Sequence, residues 1–373
     1  MIKISDAFTL QMGKTPARAN EEYWNDGSNP WVSIADLSSY NKYVTGTKET
    51  ITDLGVAKSG IKVVPANTVI MSFKLLLGKT AITTAPVYTN EAIMAFIPNG
   101  RYEVDTDYLY HLFSGRDWSK GTNRAVMGAT LNKATLSEIE ISLPPLAEQK
   151  HIAEVLDKVN ALINHRKEQL SELNELVKSR FIELFGDRYT NDKNWENKPL
   201  YECADFYNGK AHEQVVDENG EYILVTSRCI ASDITDYRRT NALLFPLKTN
   251  DIAMVMSDVP NGRALAKCIL IDEDDKYTLN QRICCLRNYS FNPIFFYYLL
   301  NRHEYFLSFN DGNAQTNLRK DDLLACNIIM PPLELQNQFA AFVEQTDKSK
   351  LVVQNSIAEL EELKKSLMQK YFG

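Results

Sequence analysis

The first 202 residues of this 373-residue chain contain no cysteine; all six, Cys203, Cys229, Cys268, Cys284, Cys285 and Cys326, follow them. None forms a C-x-x-C pair, so neither a zinc finger nor a disulfide framework is expected, and the thiols read as reduced and buried. Adjacent Cys284 and Cys285 should face opposite sides of a strand. Histidine is scarce: His111, His151, His165, His212 and His303 lie far apart, without ligand spacing. No apolar run approaches the ~20 residues of a bilayer span. Met1 to Ala7 lacks the charged stretch and apolar core of a secretory leader. The expectation is a cytoplasmic protein that meets no membrane and holds no metal. A G-x-x-x-x-G-K-S/T loop is missing, and so is a Gly-rich cofactor turn after a strand. Asn292-Pro293-Ile294-Phe295 comes nearest to the Asn/Asp-Pro-Pro-Tyr/Phe tetrad of adenine methyl transfer. It lacks the second proline and reads as a helix start, with an Asn cap and Pro in the first turn. Catalysis by this chain is not expected.

What the chain does contain, it contains twice. Leu143-Pro144-Pro145-Leu146-Ala147-Glu148-Gln149 opens a helical pattern ending at Phe185-Gly186, and Met330-Pro331-Pro332-Leu333-Glu334-Leu335-Gln336 opens another ending at Phe372-Gly373. The offset is a constant 187 residues (331 minus 144), and Glu172/Glu359, Leu173/Leu360, Glu175/Glu362, Leu176/Leu363, Lys178/Lys365 and Ser179/Ser366 coincide without a gap. The segments before the helices match locally: Gly13-Lys14 with Gly209-Lys210, Gly78-Lys79 with Gly262-Arg263, Asn90 with Asn280, Tyr110 with Tyr297, and Leu131-Lys133 with Leu318-Lys320. Four segments follow: a domain over 1–142, a helix over 143–187, a second domain over 188–329 and a second helix over 330–373. Both domains read as mixed α/β. Val63-Val64, Val69–Met71, Ala92–Ile97, Ile252–Met256 and Arg282–Leu286 read as strands, and Asp105–Phe113 and Pro293–Leu300 as short helices. A duplicated unit makes a pseudo-two-fold object from one chain, and a two-fold partner suited to it is duplex DNA.

The two helical patterns carry heptads. Ile152, Leu156, Val159, Ile163, Arg166, Leu170, Leu173, Val177, Arg180 and Leu184 step by four and three; so do Phe339, Val343, Thr346, Lys350, Val353, Ile357, Leu360, Lys364, Leu367 and Tyr371. A 3.5-residue period argues for a coiled coil, antiparallel because the chain returns through a whole domain between its helices. Leu156, Val159, Ile163, Leu170, Leu173, Val343, Val353, Ile357, Leu360 and Leu367 are the seam residues. Charge weighs the other way. The net is −7, and Lys+Arg against Asp+Glu run 14 to 14, 6 to 8, 16 to 20 and 5 to 6 over the four segments in order. That balance disfavours strong non-specific binding to nucleic acid but leaves room for cations gathered on one face.

The two P-P-L-x-x-Q entries into long helices, with the opening Gly13-Lys14-Thr15-Pro16 followed by Tyr23-Trp24 and Pro30-Trp31, resemble the specificity subunit of type I restriction–modification enzymes over essentially the whole chain. The resemblance implies two target-recognition domains held apart by the coiled coil, each reading half of a split, asymmetric double-stranded DNA target. It implies that the helices dock two methyltransferase subunits and that motor–nuclease subunits join. S-adenosylmethionine, ATP and magnesium would then belong to the partners, with no cofactor in this chain. Two departures stand out. Leu335 replaces the acidic residue matching Glu148, and Gly209-Lys210-Ala211-His212 lacks the Thr-Pro of the first domain.

Base edges are read by Arg and Lys at guanine and by Asn and Gln at adenine, while phosphates take Lys, Arg and hydroxyls. The candidates are Lys14, Lys74, Lys79, Lys120, Asn123 and Arg124 in the first domain. In the second they are Lys210, Arg228, Asn261, Arg263, Asn313, Gln315, Asn317 and Arg319. The run Gly312–Asn317 offers several amides beside a glycine. Tyr237-Arg238-Arg239 reads equally as a phosphate clamp or a plain turn. Two other classes compete: a tandem-domain adaptor for proteins, and an enzyme with its own methyltransferase or nuclease site.

Overall fold

The computed structural model describes residues 1–74, 76–118, 131–258, 264–310 and 316–373. Two compact units emerge, residues 1–167 with 355–373, and residues 168–354.

In the first unit a four-stranded antiparallel sheet runs in the order Phe8–Met12, Ile93–Pro98, Val69–Ser72, Thr80–Ile82. Its central strand is buried from Ile93 to Phe96. Alternation then divides it between two cores. Met94 and Phe96 join Phe8, Leu10, Leu109, Phe113 and Leu156, whereas Ile93 and Ala95 join Val32, Leu37, Ile70 and Ala81. A three-stranded sheet sets Asn29–Val32 between antiparallel Glu49–Ile51 and parallel Tyr88–Thr89. The helix Thr106–Ser114 is capped by the Asp105 carboxylate, which accepts from Tyr108 N–H at 2.9 Å.

The second unit repeats the plan. Its four-stranded sheet runs Asp205–Asn208, Ile283–Arg287, Ile252–Val255, Cys268–Leu270, and its three-stranded sheet Arg238–Thr240, Tyr222–Val225, Tyr277–Leu279. The helix Pro293–Leu300 is capped by Asn292, whose side chain accepts from Ile294 and Phe295. The Asn292-Pro293-Ile294-Phe295 run is thus a helix start. Each unit also pairs the residues leading into a long helix with its own first strand, Ile2–Lys3 with Glu140–Ile141 and Asn197–Pro199 with Asn327–Ile329.

The long helices, Leu146–Phe185 and Leu333–Phe372, have 40 residues each, ~60 Å at 1.5 Å per residue. Both begin directly after their proline pairs, where the carbonyls of Pro145 and Pro332 accept the first helical N–H groups. In the first unit Ile152 and Leu156 share a core with Leu367, Tyr371 and Phe372, and Lys167 pairs with Glu361 at 3.0 Å. In the second unit Phe339 touches Phe181 and Phe185 at centroid distances of 5.4 and 5.7 Å, beside Val177 and Val343. Numbers rise along one helix as they fall along the other, so in both units the paired segments run antiparallel.

Seam burial follows the heptads unevenly. Leu156, Val159, Ile163, Val343 and Val353 are buried, whereas Leu170, Leu173, Ile357, Leu360 and Leu367 are half-buried. Near the end of the first helix the seam slips by one residue. Phe181 and Phe185 are buried where the heptad names Arg180 and Leu184, because the rings complete an aromatic cluster with Phe295 and Phe339. Arg180 lies across the Phe342 ring at 5.8 Å and pairs with Glu183.

Other expectations needed adjustment. Val63-Val64 forms no strand: Val64 makes a single bridge to Val87, and Val63 is exposed. Arg282 stands at φ 70°, so its strand starts at Ile283. All six cysteines are free and buried, and Cys284 and Cys285 face different cores. Burial raises Cys229 to about 11 and Cys284 and Cys326 to about 12, so these thiols stay protonated and inert.

Arg188 clamps the end of the Pro293–Leu300 helix. Its guanidinium donates to the carbonyls of Tyr298, Leu299, Asn301 and Arg302 and pairs with Glu304. Beside it, His303 is 2% exposed and its Nδ1 accepts from Tyr305 N–H. Burial, with Arg188 nearby, lowers this imidazole from 6.5 to about 4.

Two outcomes follow for stability. Leu156→Ala should cost ~2–5 kcal/mol, the range for an aliphatic residue deleted from a closed core, and Leu170→Ala clearly less; urea midpoints of the two variants test the order. His303 loses its proton more readily in the folded state. Its contribution should therefore be constant above pH 6.5, fall as pH drops towards 4, and be exhausted below that. A His303→Gln variant should show a flatter difference in urea midpoint across that window than the parent chain.

Candidate nucleic-acid interface

The sheets deliver candidate residues to one end of each unit. In the first, Gly13 N–H donates to Ile93 O as the Phe8–Met12 strand ends, and Phe73 N–H donates to Ala92 O as the Val69–Ser72 strand ends. Lys14 and Lys74 therefore leave the sheet at the same end, on either side of the central strand. Gly13 is required there: a Cβ would collide with the carbonyl oxygens of Thr89 and Asn90. The second unit repeats the joint. Gly209 N–H donates to Ile283 O, Met256 N–H to Arg282 O, and a Cβ on Gly209 would strike the Asn280 carbonyl. Lys210 and the chain after Met256 thus emerge together.

Two distant segments meet at this same end. In the first unit Gly78, in the hairpin between Lys74 and Lys79, packs against the Trp118 ring. In the second, Ser257–Asp258 pairs antiparallel with Thr316–Asn317, and Leu318 N–H donates to Met256 O at 2.7 Å. Asn317 and Arg319 are exposed beside that pairing. Lys120, Asn123, Arg124, Asn261, Arg263, Asn313 and Gln315 lie outside the described residues, as does most of the Gly312–Asn317 run.

The remaining candidates divide by what already holds them. Lys74 and Lys210 are exposed. Lys14 donates to the Ser59 carbonyl, and its own carbonyl accepts from Trp31 Nε1 at 3.1 Å. Lys79 is half-buried and donates to Tyr40 O at 2.7 Å. Arg228 is bound to Asp236 at 2.5 Å, on the Ser227–Ala231 helix that follows the Tyr222–Val225 strand. Tyr237-Arg238-Arg239 is no turn: Arg238–Thr240 is an edge strand, and Arg239 lies over the Tyr237 ring. His212, in place of the first unit's Thr-Pro, locks the loop from within. Its Nδ1 donates to Lys210 O at 2.7 Å, and its Nε2 accepts from Thr278 at 3.0 Å.

Two kinds of joint were not foreseen. Gln149 and Gln336 are 1% and 4% exposed and hydrogen-bond into the capping turns of the two short helices. Lys42 donates to Asp157 at 2.6 Å and lies 2.7 Å from Asp107, with His111 Nε2 also on Asp157 at 2.8 Å. Burial keeps the His111 imidazole below its ordinary range. The repeated Gln offered a signal for the first joint; nothing in spacing announced the second. Among the described residues no group of three or more His, Cys, Asp and Glu is arranged to hold a metal, and no helix is long and apolar enough to cross a membrane.

The family model described as type I restriction modification DNA specificity domain matches residues 1–175 and 192–362, so the chain belongs to that family. The MjaIX specificity subunit of Methanocaldococcus jannaschii is 30% identical over 200 residues, 52% of this chain and 45% of that relative. The chain thus spans about half the length of this relative. The MjaVIII specificity subunit of the same organism is 22% identical over 99% of this chain and 90% of its own length. A solved structure concerned with complex assembly and conformational transition of the type I R-M system shares the fold, with TM-score 0.61, 16% identity, and 100% and 96% of the two chains covered.

The split between free and engaged cations yields a test. Lys210→Ala should lower the slope of log affinity for duplex DNA against log salt by about 1, the signature of one lost phosphate contact. Lys79→Ala should leave that slope unchanged, because its ammonium is held by a backbone carbonyl. Titrations of both variants at several salt concentrations would read the difference.

Proposed function

We propose that this chain is the DNA-specifying subunit of a type I restriction–modification complex. Each globular domain reads one half of a bipartite double-stranded target through the sheet end that carries Lys14 and Lys74 in one unit and Lys210 and Asn317 in the other. The long helices form the spacer and dock two methyltransferase subunits, and motor–nuclease subunits complete the assembly. Methyl transfer and cleavage, with S-adenosylmethionine, ATP and magnesium, reside in the partners, while this chain supplies recognition in the cytoplasm. One observation supports the reading above the rest: the family match covers both halves of a chain whose two sheets, cap helices and long helices repeat in the same order.

Selection from random-sequence duplexes by the chain with its methyltransferase partner, followed by sequencing of the bound pool, tests this reading. A split motif with a fixed unread gap is expected; a single continuous short motif would refute it. Exchanging residues 195–329 for the matching segment of another member of the family should change one half of the motif and leave the other half intact. Loss of both halves in a folded exchange would show that the domains do not read independently.

A further inference from the structure

We infer that Gln149 and Gln336 are positioning residues: each fixes the short helix of its domain on the start of a long helix and so sets where that domain meets its half of the target. The inference rests on the proposed role in DNA recognition.

Two of the bonds recur in both units, and Gln149 adds a third. Gln149 Oε1 accepts from Asp105 N–H at 2.8 Å, and its Nε2 donates to Glu103 O at 3.0 Å and Pro144 O at 2.8 Å. Gln336 Oε1 accepts from Asn292 N–H at 2.9 Å, and its Nε2 donates to Pro331 O at 2.8 Å. Both Oε1 bonds span 44 residues, and Asp105 and Asn292 are the caps of the two short helices. One carboxamide therefore joins three things: the proline turn, the long helix, and the first peptide of the capped helix. Only a primary amide offers an acceptor and two donors on one planar group.

Every one of these bonds ends on a backbone group. The joint therefore survives changes in domain side chains, which suits a connector between a constant helix and a variable reader. The capped helix leads on in sequence to the candidate segments, from Ser114 towards Lys120 and Arg124 in one unit, and from Leu300 towards Asn313 and Gln315 in the other. A small rotation at the cap is carried along that helix to the readout end. The second joint holds an extra tie, Asn292 Nδ2 donating to Asn337 at 2.9 Å.

The test uses the full chain with its methyltransferase partner. Gln149→Met and Gln336→Met keep length and remove the amide; Gln149→Glu keeps the oxygen for Asp105 and loses both donors. Bound pools selected from random duplexes are sequenced for half-site motifs and for the distribution of gap lengths. The expected result is unchanged base preference in both half-sites with a broadened gap. The advantage of the preferred gap over one base pair more or less should fall about tenfold for either Met variant, the equivalent of one buried hydrogen bond. Gln149→Glu should fall between, and it carries the same readout should a Met variant fail to assemble. A gap as sharp as in the parent chain, or a uniform loss of affinity at every gap, would overturn the inference and leave the two glutamines purely structural. A parent pool without a split motif would overturn the recognition reading and the inference with it.

Discussion

A 40-residue helix with a mostly polar surface needs cover, since helices in water draw most of their stability from tertiary packing of one face. Here the cover comes from the domain cores. Ile152, Ala153 and Leu156 of one long helix belong to the same cluster as the central strand's Met94 and Phe96, with Leu367, Tyr371 and Phe372 of the other packed against it. Val177, Phe181, Phe185, Phe339 and Val343 do the same among Ile252, Leu286 and Phe295. The helices are thus part of each core rather than separate rods resting on it. Everything that depends on domain placement depends on this shared burial, including the sheet end where the candidate cations emerge.

The two units solve the same joint with different chemistry. In the first, Lys42, Asp107, Asp157 and His111 tie a loop, the short helix and the long helix together through charge and hydrogen bonds. In the second, a ring stands at the position matching His111: Tyr298, 187 residues on, packs edge-on against Phe339 at 5.3 Å. Both arrangements sit beside a buried glutamine with the same backbone partners at its oxygen. The repeat therefore fixes topology and main-chain bonding, while side-chain packing is free to diverge. The Gly13 and Gly209 joints show the same rule, since they preserve a close approach of backbones and differ in the Thr-Pro or Ala-His that follows.

The family resemblance rested on motifs that are themselves main-chain devices. Pro144-Pro145 and Pro331-Pro332 start helices, Gly13 and Gly209 permit contact, and Gln149 and Gln336 bond to peptides. Such residues are legible because few alternatives satisfy their geometry. The candidate interface was less legible. Lys79 and Lys210 look alike in sequence, yet one is held by the Tyr40 carbonyl and the other is exposed. Arg228 met Asp236 only because the Ser227–Ala231 helix turns back on the following loop.

The sequence by itself determined the duplication, the helix starts and the central strands, because periodicity and the proline and glycine positions act locally and leave a mark in the residues that carry them. Tertiary structure alone decided three other things. It placed Phe181 and Phe185 in the core instead of Arg180 and Leu184, since four rings from three elements pack better than the heptad would allow. It chose which lysines keep a free ammonium, since that depends on a carbonyl or carboxylate brought from elsewhere in the chain. And it joined Gln149 to Asp105 and Gln336 to Asn292 across 44 residues, a partnership that no spacing rule encodes because it exists only once the short helix has docked on the long one.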